Sequence, residues 1–286
     1  MKKVLVTGGN GQLGSELRRL PQDDLSAKFL FTDLPELNIT SQTAVRQYIE
    51  KNRPDIIVNC AAYTQVDKAE SEPDIAFRVN AEAVKILSQE AVRTGAGLIH
   101  ISTDFVFDGS KNTPYSEEDM PNPLSVYGKS KLQGERYALE AGMVIRTSWL
   151  YSSSGQNFLK TILRLGKERD EIRVVFDQVG TPTYAGDLAQ AIRAIVHRYV
   201  TMHTLPEKEI FHFSNEGVCS WYDFAHEIIH LAKLSCRILP IETHEYPLPA
   251  RRPAYSVLNK NKIRQHLGII IPHWTESLRA CMNKFH

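Results

Sequence analysis

The chain has 286 residues, 42% of them hydrophobic and 23% charged, which is the make-up of an ordinary globular protein long enough to bury a sizeable core. Its formal net charge of +1 offers no attraction to nucleic acid or to an acidic membrane surface, so neither is expected as a partner. The cysteines Cys60, Cys219, Cys236 and Cys281 lack Cys-x-x-Cys spacing and read as reduced thiols of a cytoplasmic protein. The apolar run after Met1 is too short for a signal peptide, and no stretch approaches the ~18 apolar residues that a membrane span needs.

The first half alternates short apolar strands with amphipathic helices. Strands are expected at Lys3 to Thr7, Phe29 to Thr32, Asp55 to Asn59, Leu98 to Ser102 and Met143 to Arg146. Helices are expected at Ser15 to Leu20, Val45 to Lys51, Ile75 to Val92 and Ser125 to Ala141. Ile56-Ile57-Val58 is apolar on successive positions, as in a parallel strand buried on both faces. This pattern predicts an α/β fold with a doubly wound parallel sheet. Residues 1–150 would form a dinucleotide-binding domain. Beyond Trp149 the pattern loosens into helices at Phe158 to Lys167, Asp187 to Tyr199, Trp221 to Leu234 and Thr275 to Lys284, separated in places by proline-rich stretches. Residues 151–286 are therefore expected to be mainly a smaller substrate-binding lobe, interleaved with late strands and helices that return to the sheet from about 171–200.

Gly8-x-x-Gly11-x-x-Gly14 lies between the first strand and the first helix. That is the setting in which glycines let the backbone approach a pyrophosphate and a helix N-terminus offers free N–H groups to it, so the sheet is expected to be Rossmann-type. Asp33 ends the second strand 19 residues after Gly14, where a carboxylate meets the adenosine ribose hydroxyls. It would repel a 2′-phosphate and favour NADH over NADPH, with Arg18 and Arg19 close enough to soften that preference. Small residues in Asn59-Cys60-Ala61-Ala62-Tyr63-Thr64 would let a flat ring approach the sheet edge.

Tyr127 and Lys131 stand one helical turn apart, and no other of the 11 tyrosines has a lysine four residues on. A free phenol is a poor acid or base near neutrality, and a neighbouring ammonium, together with the positive nicotinamide of an oxidised cofactor, would favour its phenolate. Thr103 ends the fourth strand, at the strand edge where open α/β sheets carry their chemistry. Its hydroxyl, or that of Ser102 on the opposite face, would hold a carbonyl oxygen, and Asp104 would tune the local proton affinity. A group that moves a proton beside a cofactor that carries hydride points to a carbonyl/alcohol oxidoreductase.

Together, Gly8-x-x-Gly11-x-x-Gly14 and Tyr127-x-x-x-Lys131 resemble the extended short-chain dehydrogenase/reductase superfamily. Finer strings resemble the branch that reduces 4-keto-6-deoxyhexoses on a dTDP carrier. They are Asn10-Gly11-Gln12-Leu13-Gly14, Ala61-Ala62-Tyr63-Thr64-x-Val66-Asp67-Lys68-Ala69-Glu70, Ser102-Thr103-Asp104-Phe105-Val106-Phe107-Asp108-Gly109, Tyr127-Gly128-Lys129-Ser130-Lys131 and Arg146-Thr147-Ser148-Trp149-Leu150-Tyr151. The likeness continues through Asn157-Phe158 and Gly180-Thr181-Pro182-Thr183 and thins in the last hundred residues. It implies reduction of dTDP-4-dehydro-6-deoxy-L-mannose to dTDP-L-rhamnose with NADH or NADPH, the last step of dTDP-rhamnose synthesis for cell-surface polysaccharide. It implies Thr103, Tyr127 and Lys131 as catalytic groups. Gly11, Gln12, Leu13, Asp33, Asn38, Ile39, Ala62, Tyr63 and Thr64 would contact the dinucleotide, with Gly8, Gly14 and Ala61 beside them. Thr103, Asp104, Trp149 and Asn157 would contact the dTDP-sugar.

Arg251 and Arg252, in a proline-framed loop, are candidates for the diphosphate. Some relatives dimerise through carboxylates around magnesium. Glu16 and Asp187 would supply two carboxylates, but Lys284 stands where a third is needed, so no metal is expected and the chain reads as a monomer or weak homodimer. His226-Glu227-Ile228-Ile229-His230 spells a zinc-protease motif without a recognisable third ligand. The competing readings are a non-catalytic dinucleotide-binding regulatory relative and another nucleotide-sugar reductase or epimerase.

Overall fold

The structure, a computed structural model, describes residues 1–21 and 27–285. The first half contains β1 (Lys2–Thr7), α1 (Gln12–Arg19), β2 (Ala27–Thr32), α2 (Gln42–Asn52), β3 (Ile56–Asn59), the short α3 (Val66–Ala69) and α4 (Pro73–Phe77), α5 (Ala83–Thr94), β4 (Gly97–Thr103), α6 (Val126–Ala138) and β5 (Gly142–Thr147). The second half contains β6 (Leu150–Tyr151), α7 (Phe158–Glu168), β7 (Glu171–Val175), β8 (Val179–Gly180), β9 (Thr183–Tyr184), α8 (Ala185–Met202), β10 (Ile210–His212), β11 (Cys219–Ser220), α9 (Trp221–Leu231), β12 (Arg237–Ile241), α10 (Asn261–Leu267) and α11 (Trp274–Met282).

Six strands form one parallel sheet in the order β10-β5-β4-β3-β1-β2. The order reverses beside β1, so β1 and β3 leave a crevice above their carboxyl ends. Val4, Leu5 and Val6 are wholly buried, as are Ile57 and Val58, because helices cover both faces. On one face, Val45, Ile49, Val84, Leu87 and Ala138 pack with Leu5, Ile57 and Leu98. On the other, α1 and α8 bring Leu17, Leu188, Ile192 and Ile195 against Val4, Val58 and Ile145. A separate cluster around Phe224, Ile228, Leu159, Ile172, Leu278 and Trp274 lies in the second half.

Two expectations need correction. The helix expected over Ile75 to Val92 is interrupted by a π-helical turn at Arg78–Glu82, joining α4 to α5. A Cβ on Gly134 of α6 would lie 2.1 Å from the Asn80 carbonyl oxygen, so the glycine lets the widened turn press onto α6. In the segment 171–200, α8 lies on the central sheet but β7 does not join it. β7 pairs with β12, burying Ile172 and Val174 and exposing Glu171 and Arg173. That alternation suits a sheet with one wet face rather than a doubly covered strand. The sixth central strand is β10, three residues long and without a readable period.

Candidate active site

At the β1–α1 turn, Gly8 has φ +69. A Cβ on Gly14 would lie 2.3 Å from the Gly8 carbonyl oxygen, so neither position tolerates a side chain. Gly11 caps α1 without a side-chain hydrogen bond, and no acidic residue occupies the first turn. The N–H groups there remain available to an anion. Asp33 accepts the Asn10 N–H at Oδ2 and the Leu34 N–H at Oδ1, both at 2.9 Å, which pins the carboxylate beside the loop. Arg18 lies 4.9 Å over the Phe31 ring and reaches the Gly9 carbonyl and Asn10 Oδ1, each at 3.4 Å. Arg19 is engaged elsewhere, with Glu16 and Ser153. A carboxylate and a guanidinium therefore share the β2 end of the crevice, a fit to either nicotinamide dinucleotide.

The other expected cofactor residues divide by burial. Leu13 and Ile39 are in the cores on opposite sheet faces, leaving chiefly backbone atoms to offer. The exposed Asn38 turns its Oδ1 back onto the Thr40 N–H and hydroxyl. Ala61, Ala62 and Tyr63 are half-buried and Thr64 is exposed. The Tyr63 N–H and carbonyl are both held by the buried Asn80 side chain, which also donates to Ser130 Oγ of α6. The π turn thus ties the loop after β3 to the helix that carries Tyr127. Gln12 Oε1 accepts from Asn157 Nδ2 at 2.9 Å, so Asn157 braces the glycine loop while also capping α7.

Tyr127 opens α6. Ser125 caps that helix by accepting the Gly128 N–H, and Glu70 accepts the Val126 N–H. A Cβ on Gly128 would lie 2.3 Å from the Phe105 carbonyl oxygen, so glycine lets the helix start close against the β4 end. The Phe105 ring meets Tyr127 edge-on at 5.6 Å. Burial pushes the phenol up to about 12, against the Thr103 hydroxyl, which favours the phenolate, while the Asp104 charge adds to the rise. Without cofactor Tyr127 is thus a protonated phenol; the acidification expected from Lys131 together with an oxidised nicotinamide concerns the cofactor-bound chain. Lys131 is also buried. It donates to the Ile101 carbonyl at 2.6 Å, and burial brings its ammonium down to about 8.

Thr103, not Ser102, faces the phenol. Ser102 donates to Glu135 Oε1 at 2.6 Å, and Glu135 holds the buried Arg146 through two bonds of 2.9 and 2.7 Å. Thr103 donates to Asp104 Oδ1 at 3.0 Å. Burial raises the Asp104 carboxyl to about 6, against the hydroxyls of Ser256 and Thr103.

The sequence model of one protein family, described as RmlD substrate binding domain, matches residues 1–286. The chain belongs to this family. It is 42% identical to a dTDP-4-dehydrorhamnose reductase of Sinorhizobium fredii over 284 residues, 97% of this chain and 95% of that protein. The crystal structure of a dTDP-4-dehydrorhamnose reductase from Clostridium acetobutylicum superposes with a TM-score of 0.92 at 40% identity, covering 99% of each chain. The enzyme of that name from Bacillus anthracis, solved in complex with NADP, gives 0.91 at 39% identity, covering 99% of this chain and all of the other.

In this member of the family, Trp149 has φ +48, a strained backbone for a bulky residue. Its indole stacks on Trp221 with centroids 3.7 Å apart and planes 9° from parallel, and lies against Gly180, where a Cβ would be 2.6 Å away. In the sequence Trp221 lies 72 positions away and reads as the start of a core stripe of α9, so its pairing with Trp149 gives no signal there. The two arginines separate. Arg252 is held by Asp67 through bonds of 3.0 and 2.7 Å, which fastens its loop to α3, whereas Arg251 is exposed. Gly109, at φ +77, admits the same loop: a Cβ there would lie 2.7 Å from Pro253 Cα.

The metal-like motifs are accounted for by local partners. Lys284 Nζ bonds Glu16 Oε2 at 3.0 Å, and Asp187 Oδ2 takes Ser277 Oγ and Asn215 Nδ2. His226 and His230 are exposed on α9, and Glu227 faces Arg279 at 3.5 Å. Among the described residues, no group of three His, Cys, Asp or Glu side chains is placed to hold a metal ion.

Proposed function

We infer that this chain reduces dTDP-4-dehydro-6-deoxy-L-mannose to dTDP-L-rhamnose with NADPH or NADH. The observation that carries the reading is the buried, protonated Tyr127 beside Thr103 at the carboxyl edge of the parallel sheet, in a chain similar along its whole length to dTDP-4-dehydrorhamnose reductases. A bound nicotinamide supplies the hydride. Thr103 holds the sugar's C4 carbonyl oxygen, and Tyr127 gives that oxygen its proton as the alcohol forms. The high proton affinity of the buried phenol keeps the donor form populated through neutral pH. Lys131 stabilises the phenolate left behind. Asp104, with its carboxyl raised to about 6, takes a sugar hydroxyl.

Gly8, Gly11, Gly14 and the open α1 N-terminus cradle the pyrophosphate, while Asp33 takes the ribose hydroxyls. Arg18 beside Asp33 supports acceptance of a 2′-phosphate as well. Stacked on Trp221, Trp149 gives the hexose a flat wall. Among the described residues Arg251 has no ion-pair partner and suits the diphosphate, whereas Arg252 maintains the loop's shape. The internal neutralisation of Glu16 by Lys284 and Arg19 supports a monomer or weak homodimer without a bridging metal. Four free thiols and a nucleotide-sugar substrate support a cytoplasmic setting. Incubation of the purified chain with the dTDP-4-keto sugar and reduced cofactor, followed by nicotinamide absorbance and product chromatography, tests the reading. No substrate-dependent oxidation with either cofactor would overturn it.

A further inference from the structure

Asn157 caps α7, and the orientation of its amide follows from backbone groups alone. Its Oδ1 accepts the Lys160 N–H at 3.1 Å. Its Nδ2 faces the carbonyl oxygens of Ser152 and Ser154, at 2.8 and 3.3 Å, which can only accept. The same Nδ2 meets the Gln12 side chain at 2.9 Å. Gln12 must accept there too, so its Oε1 faces Asn157 and its NH2 faces away. The segment 152–155 holds this arrangement. Gly155 has φ +67, and a Cβ on it would lie 3.1 Å from Gln12 Cγ, so the loop closes on the glutamine stem. Ser153 Oγ accepts from Arg19 at 2.9 Å, which fastens the same loop to the far end of α1.

Gln12 is the first residue of α1, directly after Gly11, in the turn whose N–H groups are open to an anion. Among the described residues no protein group takes the protons of its Nε2. Gln12 is only half-buried and that nitrogen is not enclosed, so a ligand can meet it. Asn157 itself has nothing left to donate to a sugar, since its two N–H bonds already serve three acceptors.

We propose that Asn157 is a positioning residue for the cofactor: it fixes the Gln12 amide with the NH2 outward, so that Gln12 adds a hydrogen-bond donor to the pyrophosphate cradle. The idea rests on the dinucleotide reading above, and it moves Asn157 from the sugar side to the cofactor side. Pyrophosphate oxygens only accept, so an amide turned the other way would set oxygen against oxygen. An unrestrained glutamine presents either end; the bond from Asn157 makes the choice before the ligand arrives.

The test is Asn157→Asp. Aspartate still accepts the Lys160 N–H and caps α7, but it has no donor for Gln12 Oε1. The glutamine should then turn its NH2 toward the new carboxylate and its oxygen toward the pyrophosphate. The Kd of NADPH and of NADH, read from nicotinamide fluorescence, should rise about tenfold. The kcat at saturating cofactor and the KM for the dTDP-4-keto sugar should change less than about threefold. In Gln12→Ala protein, adding Asn157→Asp should change the cofactor Kd less than about twofold, because the amide through which Asn157 acts is gone. Asn157→Ser serves if the aspartate variant does not fold. Serine also caps a helix but is too short to reach Gln12, and the Kd should rise about threefold. A native Kd in the folded variant, or an equal rise in the Gln12→Ala background, would reduce Asn157 to a helix cap and overturn the proposal. A raised KM for the sugar with an unchanged cofactor Kd would return Asn157 to the substrate site and overturn it as well. A native chain that binds neither reduced dinucleotide would instead sink the cofactor reading, and the proposal with it.

Discussion

Lys131→Met separates the chemical role of this residue from its cost to the fold. Methionine keeps an unbranched apolar stem and removes the amine. The native ammonium falls from an ordinary 10.5 to about 8, chiefly because it is buried. At 1.36 kcal/mol per unit, the folded chain carries a penalty of about 3 kcal/mol while the lysine is charged. Loss of the bond to the Ile101 carbonyl returns about 1 kcal/mol, so the variant should be more stable by about 2 kcal/mol near neutral pH. Between about pH 8 and 10.5 the unfolded chain holds the lysine proton more firmly than the folded one. Native stability therefore gains with rising pH in that window, and the difference between the two proteins should close. Urea unfolding at about pH 7 and about pH 10, with turnover measured in parallel, reads both effects. The variant should lose nearly all turnover at either pH. A variant destabilised equally at both pH values would show that Lys131 stabilises the fold as a buried cation, and the reasoning would fail.

Tyr127→Phe should lower kcat by about 10²–10⁴ while cofactor fluorescence titration still shows binding, and near-normal turnover would remove the phenol from the mechanism. Asp33→Ala should raise the kcat/KM ratio of NADPH to NADH, since a carboxylate beside the ribose is lost; an unchanged ratio would mean that Asp33 only braces the Asn10 turn. Arg251→Ala should raise the KM for the dTDP-sugar more than it lowers kcat. Arg252→Ala should instead behave like Asp67→Asn, each loosening the loop to limited proteolysis, and unlike behaviour of that pair would break the assigned bridge. Trp221→Ala should lower kcat as well as raise KM, because Trp149 loses the ring it stacks on and the carbonyl is misplaced.

The parallel sheet was legible because its strands are short, continuous apolar runs separated by helices, and because the glycine spacing marks the first turn. Thr103, Tyr127 and Lys131 were legible as candidates through motif and strand-end position, and the structure buries all three. Trp221 was not, since stacking across α9 leaves no periodic signal. The hydrogen-bonded placements of Asn59, Asn80 and His100 were equally hidden, because each is set by partners 17 to 52 positions away. The paired Arg251 and Arg252 looked equivalent as neighbours of like charge; the reach of Asp67 makes them different.

Local chemistry in the chain determines the turn that only glycines can make, the helix that starts after Ser125, and the strand ends that present Thr103 and Asp33. Those outcomes depend on backbone freedom, capping and hydrophobic period, which act over a few residues. Tertiary structure decides the electrostatics. The same burial that packs α6 against the sheet raises Tyr127 to about 12 and lowers Lys131 to about 8 in the cofactor-free chain, shifts that spacing alone does not predict. Desolvation depends on what covers a group from every side, and no stretch of sequence around Tyr127 carries that information.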